Sequence, residues 1–239
     1  MEIRLDGRQY LELRPINIRI GVFHGLSGSS DFSMGLSRAT AVAWQPEETN
    51  NIRGKSYLDV IIRPNSGSTG DTEKLLELYC TRVLEDIIDF KQIPRCIVSV
   101  AIQVISQDGP IFPICFNAAV LALLDAGIPM TTTPLAISIA EACTYQLNDL
   151  SKHIIIDPNG EEIDKCISCS HYIVSSRSNQ IIACLIAKGT GITYNDKIYD
   201  FDSISIAIAG TKVLCNYIRN YLQKTLLDNV GKSYDNNIS

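Results

Sequence analysis

The sequence predicts an α/β fold, and three observations carry that expectation. First, between Pro94 and Met130 a β-branched apolar run, Cys96 to Ile105, passes through Ser106-Gln107-Asp108-Gly109-Pro110 into a second apolar run that stops at Gly127, with Pro129 just beyond. The first run suits a buried strand, and Asp-Gly before proline is turn chemistry. In the second run Phe116, Ala119, Val120, Leu123 and Leu124 recur at helical spacing, and Gly127 suits the left-handed position after a helix end. Second, strands and helices alternate through the first half, as in a layered α/β protein. Third, 239 residues with 46% hydrophobic and 20% charged side chains can bury a large core and fit one compact unit, residues 1–239.

In order, Met1 to Pro15 is polar and charged, and Ile16 to His24 alternates apolar and polar residues with period two, as a half-buried strand does. Gly25 to Ser30 is a loop. Asp31 to Met34 and Ala39 to Trp44 form a hairpin turning at Gly35, and Gln45 to Lys55 reads as a solvated linker. Tyr57 to Arg63 is a strand. Asp71 or Thr72 caps a helix to about Phe90, its buried side formed by Leu75, Leu76, Tyr79, Val83, Ile87 and Ile88. Beyond Met130, Ala136 to Gln146 is short and mixed, Ile154 to Asp157 resembles a strand end, and Pro158 to Asp164 is a turn with an acidic cluster. Cys166 to Val174 and Ile181 to Ala187 make a hairpin closed by Lys188-Gly189-Thr190-Gly191. A last helix, Ser203 to about Leu227, carries Ile204, Ile208, Val213, Tyr217 and Tyr221 on its apolar side, and residues 231–239 are expected to fray.

The net charge of −5 gives no bulk signal for nucleic acid. The eight cysteines lie mostly inside apolar runs, and no leader segment is evident, so a reduced intracellular protein with cysteines packed as small hydrophobes is expected. No apolar run is long enough to span a bilayer.

Cys166, Cys169 and His171 have the look of half a zinc site, but neither His24 nor His153 is placed to complete it, and strand alternation would set the two thiols on opposite faces. No metal site is expected. Glu161, Glu162 and Asp164 read either as paired carboxylates for metal or acid-base work or as a solvated turn, with the turn favoured. Gly67-Ser68-Thr69-Gly70 and the 188–191 loop do not fit the phosphate-loop pattern, and the histidines have no companion nucleophile motif.

A resemblance carries the reading further. Val104-Ile105-Ser106-Gln107-Asp108-Gly109, Asn117-Ala118-Ala119 and Asp125-Ala126-Gly127-Ile128-Pro129-Met130 resemble the central signature of the RNase PH family. Asp6-Gly7-Arg8, the hairpin region Gly28 to Pro46, Arg63-Pro64 and Pro94-Arg95 extend that likeness over nearly the whole chain. It implies an α/β RNase PH-like fold with mixed sheets packed with helices, and a family chemistry of phosphorolytic trimming of RNA 3′ ends. In active members D-G is followed by G-T-R, which cradles phosphate; Pro110, Ile111 and Phe112 stand here. The family's arginine before the first long helix is replaced by Asp71 and Thr72, and its two catalytic aspartates fall at Ile163 and Cys169, with Asp164 one position away.

In this respect the chain resembles the short, non-catalytic ring subunits of the eukaryotic RNA exosome. The resemblance implies no catalytic residues, no cofactor, and partners that are other RNase PH-like ring subunits, exosome cap proteins and RNA passing through the central channel, with no membrane. It implies residence in nucleus, nucleolus and cytoplasm. Arg63 and Lys74, flanking the loop Asn65 to Asp71, are the candidate RNA contacts. An active phosphorolytic nuclease and an RNA-binding homo-oligomer outside the exosome are the alternatives.

Overall fold

The structure is a computed structural model that describes residues 4, 6–48, 56–146, 149–188 and 201–236. Its hub is the strand-turn-helix at the centre of the sequence. Strand β6 (Cys96–Ser106) takes β3 (Ser37–Ala43) and the two-residue β4 (Glu47–Glu48) along one edge and β5 (Tyr57–Arg63) along the other. β2 (Gly28–Met34) and β1 (Ile16–Ile20) continue the sheet beyond β3. All pairings are antiparallel except β5 with β6, and α1 (Asp71–Ile87) supplies the crossover a parallel pair requires. Val98, Val100, Ile102 and Val104 alternate into the core, so the apolar run of β6 is buried chiefly on one face.

Helix α2 (Phe112–Asp125) has no polar face: every residue from Phe112 to Leu123 is buried, as in a helix enclosed on all sides. It packs on β2 and β3 and also on β7 of a second sheet, so it is the layer between them. That sheet is antiparallel, ordered β10-β9-β7-β8, from β7 (Pro134–Gln146), β8 (Asp149–Ile156), β9 (Ser168–Ser175) and β10 (Ile181–Lys188). α4 (Phe201–Asn236) covers its other face, and the short α3 (Gly160–Lys165) precedes β9.

Small residues set the closeness of this packing. Ser30 Oγ donates to the Ala118 carbonyl at 2.6 Å, and a Cβ on Gly28 would stand 2.3 Å from the Ala122 carbonyl oxygen. Asn117 faces the other sheet, its amide donating to Ala136 O at 2.9 Å and its carbonyl accepting from Ala136 N at 2.8 Å. A full pair of strand-type hydrogen bonds therefore joins α2 to β7. The helix ends as expected, with Gly127 at φ +70, Gly127 N donating to Leu124 O and Ile128 N to Leu123 O. Asp125 then accepts from the backbone N–H groups of Ser29 (2.8 Å) and Gly21 (3.2 Å), tying the loop before β2 to the helix end.

Several expectations are corrected. β1 stops at Ile20, because the chain turns at Gly21 with φ +63. α1 is capped at Gly70, whose N–H donates to Glu73 at 2.8 Å, rather than at Asp71 or Thr72, and it ends at Ile87. Its buried line is Leu76, Cys80, Val83, Leu84 and Ile87, and Leu75 is exposed. β7 is a full thirteen-residue strand rather than a short mixed segment, and residues 160–165 are helical. On α4 the core side is Ser203, Ala207, Thr211, Leu214 and Ile218, with Val213 and Tyr217 turned outward, and the helix runs to Asn236. The loop 189–191 lies outside the described residues.

Candidate functional site

The turn Asp108 to Phe112, where the resemblance places phosphate-binding groups, is locked from three sides. Ser37 Oγ accepts from Asp108 N and donates to Asp108 O, both at 2.9 Å. Asp108 Oδ1 accepts from Gly160 N at 3.1 Å, and Gly109, at φ +108, lies so close to the following loop that a Cβ would meet the Pro158 carbonyl at 2.7 Å. Pro110 is buried and Ile111 half-buried. Phe112 is 1% exposed, stacked on His171 (centroids 5.5 Å apart) and tilted against Phe116 (5.8 Å). The first turn of α2 thus offers neither a cation nor a side-chain cap to an anion.

The cations nearest this turn are already committed. Arg14 is buried and clasps Asp157, with Nε on Oδ2 at 2.9 Å, Nη2 on Oδ1 at 2.6 Å and the backbone N–H on Oδ2 at 3.0 Å, while Nη1 donates to the Asp108 carbonyl. Arg4 donates from Nε to Glu162 at 2.6 Å, pairs a second time with that carboxylate, and reaches the carbonyls of Ile156 (2.8 Å) and Asp157 (3.0 Å). Arg8 bridges Asp6 (2.7 Å) to the Asp157 carbonyl (3.3 Å), with Glu162 at 3.9 Å. Three guanidiniums fill the volume around the 157–162 loop, and each is ion-paired with a carboxylate, although Nη2 of Arg8 makes no hydrogen bond among the described residues. Geometry of this kind holds register and orientation.

The acidic run therefore divides. Glu162 is buried, against the expectation of a solvated turn. It caps α3 reciprocally with Asn159, accepting from Asn159 N at 2.8 Å while Glu162 N donates to Asn159 Oδ1 at 2.9 Å. Burial would raise its carboxyl, but the hydrogen bonds from Arg4 and Asn159 and the charges of Arg4 and Arg8 outweigh that and hold it below the usual range. Glu161 and Asp164 are exposed, Ile163 is half-buried and Cys169 is buried, so this segment does not converge two carboxylates on one point.

Cys166 precedes β9 rather than lying in it, so strand alternation does not apply, and it shares a small buried cluster with Cys169 and Ala140. Its thiol donates to Ile163 O at 3.1 Å. His171 is not turned toward a ligand: Nδ1 meets Ser138 Oγ at 2.8 Å and the ring stacks on Phe112. Among the described residues no group of three His, Cys, Asp or Glu side chains is placed to hold a metal ion.

Burial lowers the His171 pKa from 6.5 to about 4. The unfolded chain therefore takes up a proton that the folded chain refuses between those values, and stability is complete above about pH 6.5 and declines as pH falls toward 4. The decline is expected to be on the order of 3 kcal/mol, at 1.36 kcal/mol per pKa unit. Urea titrations from pH 7.5 down to pH 5 check this, and His171→Phe should flatten the slope over that interval.

Arg63 ends β5 and Lys74 lies in the first turn of α1, both exposed and on either side of the 64–70 loop. They are separate from the arginine cluster. Patterning alone passes over that cluster because Met1 to Pro15 reads as a polar segment. The signal for it is three arginines, Arg4, Arg8 and Arg14, opposed in charge to the 157–164 run.

Comparison with known proteins gives a consistent set of likenesses. The family model for domain 1 of the 3′ exoribonuclease family, RNase PH, matches residues 12–129. The chain is 32% identical over 186 residues to an "exosome complex exonuclease RRP46 homolog" of Arabidopsis thaliana, covering 76% of this chain and 75% of that one. It is 34% identical over 162 residues to the human "exosome complex component RRP41", covering 62% and 66%. The crystal structure of rice (Oryza sativa) Rrp46 superimposes with a TM-score of 0.76 at 25% identity, over 92% of this chain and 100% of that one.

Proposed function

From the premise that this chain belongs to the 3′ exoribonuclease (RNase PH) family, we propose that it is a structural subunit of an RNA exosome ring, supporting 3′ to 5′ RNA processing and degradation without catalysing phosphorolysis itself. One observation carries the second half of that reading. Where phosphorolysis needs cationic donors to hold inorganic phosphate against an already anionic backbone, this chain has Pro110, Ile111 and a Phe112 buried against His171. Arg14, the nearest guanidinium, is consumed by Asp157 and the Asp108 carbonyl. The turn thus retains its scaffold role, welding β6 and α2 to the 158–160 loop.

The likeness to exosome components, over 76% of this chain for the Arabidopsis relative and 92% for the rice structure, supports assembly with other RNase PH-like chains. Contact with cap proteins on one face of the ring, and residence in nucleus, nucleolus and cytoplasm, belong to the same reading. In that reading Arg63 and Lys74 are its RNA contacts, because both are exposed cations, at the end of β5 and in the first turn of α1, on either side of one exposed loop.

Purified chain incubated with oligo(A) and inorganic phosphate is expected to release no nucleoside diphosphate above buffer. Turnover that Asp164→Asn abolishes would overturn the non-catalytic reading. Co-expression with other RNase PH-like chains and native mass measurement should give a mixed ring, against which a stable lone monomer would count. Crosslinking of RNA threaded through that ring is expected to mark the 63–74 segment.

A further inference from the structure

A cleft of about 250 Å³ opens between the β9–β10 hairpin and α4, lined by Ser175, Ser176 and Asn179 on one side and Lys212, Asn216 and Arg219 on the other. It lies at the opposite end of β9 from α3, four residues along the strand from His171, or about 13 Å at 3.3 Å per residue.

The hairpin wall is fixed. Ser176 N donates to Thr133 O (3.0 Å), Asn179 N to Ser175 O (3.0 Å) and Ser178 N to Ser175 Oγ (3.3 Å), and Ser175 Oγ also meets Thr132 Oγ1 at 2.8 Å. Asn179 holds φ +55, a conformation asparagine tolerates better than most residues. The opposite wall is a helical stripe, since positions 212, 216 and 219 fall on one face of α4, and the two cations sit about 10 Å apart along the axis at 1.5 Å per residue.

The charge balance singles this cleft out. The chain carries a net −5, yet no carboxylate lines the cleft, and neither Lys212 nor Arg219 forms an ion pair among the described residues. Arg177, exposed at the hairpin tip, adds a third positive charge beside it. The arginines near the family's usual phosphate position pair with carboxylates, Arg4 and Arg14 with the buried Glu162 and Asp157 and Arg8 with Asp6, whereas these cations are left facing solvent. Hydroxyl and amide groups from Ser176, Asn179 and Asn216 stand among them. That donor set matches an oxyanion with three or four acceptor oxygens better than a two-oxygen carboxylate.

We propose that the cleft between the β9–β10 hairpin and α4 is a phosphate-binding site, taking either a phosphodiester of single-stranded RNA or a free phosphate between Lys212 and Arg219. It is read from this chain's own side chains and is independent of ring assembly, which the co-expression experiment tests separately.

The test is fluorescence anisotropy of labelled oligo(A) on the full-length chain, with Lys212→Gln, Arg219→Gln, the double variant and Arg82→Gln, an exposed cation on α1, as control. Each single variant is expected to weaken binding several-fold. The double variant should flatten the slope of log K against log salt by about 0.7, the value for one single-strand phosphate no longer neutralised. Lys212, Arg219 and Arg82 are all exposed, so melting curves should coincide and exclude misfolding. Competition by inorganic phosphate at constant ionic strength assigns the site to free phosphate, and oligo(A) binding that resists such competition assigns it to the RNA backbone. Equal binding by the double variant and the parent chain, an equal loss in Arg82→Gln, or binding of a polyglutamate peptide but of neither phosphate nor oligo(A) would overturn the proposal.

Discussion

Replacing Arg14 with alanine is expected to lower the unfolding free energy by roughly 3–5 kcal/mol, the cost of removing one partner from a buried ion pair. Asp157 would be left 4% exposed with its carboxylate stripped of both side-chain donors. The Asp108 carbonyl would lose a donor as well, loosening the turn that joins β6 to α2. Asp157 sits at φ +47, so Asp157→Asn is the cleaner reciprocal change, because asparagine accepts that backbone as readily as aspartate. With Arg14→Ala/Asp157→Asn the loss should be smaller than the sum of the two singles, with a coupling of about 1–3 kcal/mol. Chemical denaturation of the four chains measures this, and strict additivity would mean that the pair contributes through packing alone.

The second large effect is expected at Asn117. Alanine there leaves both the N–H and the C=O of Ala136 unpaired inside the core, at roughly 1–3 kcal/mol for each buried group. The total, about 2–6 kcal/mol, rivals truncation of a core phenylalanine. Asn117→Asp separates the two bonds: a carboxylate still accepts from Ala136 N but faces Ala136 O with no donor unless protonated. Its stability deficit should shrink as pH is lowered toward the carboxyl range. Hydrogen exchange at Ala136 reads the local consequence, and protection equal to that of the parent chain in Asn117→Ala would show that water or a neighbour had taken over the bonds.

These two sites divide what is legible in the sequence from what is not. Asn117 belongs to the strand-turn-helix that can be read at once, because β6 and α2 are decided by local patterns: β-branched residues, a turn at Asp108-Gly109, apolar residues all round the helix, and a glycine at its end. The hairpin at Gly35 and strand 57–63 are legible for the same reason. β7 reads as short because Glu141, Cys143 and Thr144 interrupt its apolar run. The buried face of α4 escapes because it is built from small residues, Ser203, Ala207 and Thr211, that a search for large apolar side chains passes over. Gly210 there admits Ile156 and Ile137 so closely that a Cβ would lie 2.3 Å and 2.8 Å from their Cδ1 atoms.

At the functional site, the loss of phosphate-binding residues is visible directly in Pro110-Ile111-Phe112, since residue type alone decides it. The partners of Arg14 and Glu162 are not visible. Each pairs across some 140 to 160 positions, and a side chain that looks solvated in sequence is buried only because the fold delivers its counter-charge. Lys212 and Arg219 pose the reverse problem, for their stripe becomes a cleft only when the 175–179 turn is laid across it.

The arginine cluster also imposes an order on biosynthesis. Residues 4–14 emerge from the ribosome long before 157–162, and at about 5–20 residues per second they wait roughly 8–30 s for the carboxylates that neutralise them. Over that interval the first sheet and α2 can collapse while the leading arm stays outside and hydrated, with Arg8 beside Asp6 and with Arg4 and Arg14 still lacking the carboxylates they take in the finished fold. The arm can close only when Asp157 and Glu162 arrive, so a nascent chain cut short before them keeps Arg4 and Arg14 exposed, a visible mark that distinguishes it from the finished subunit.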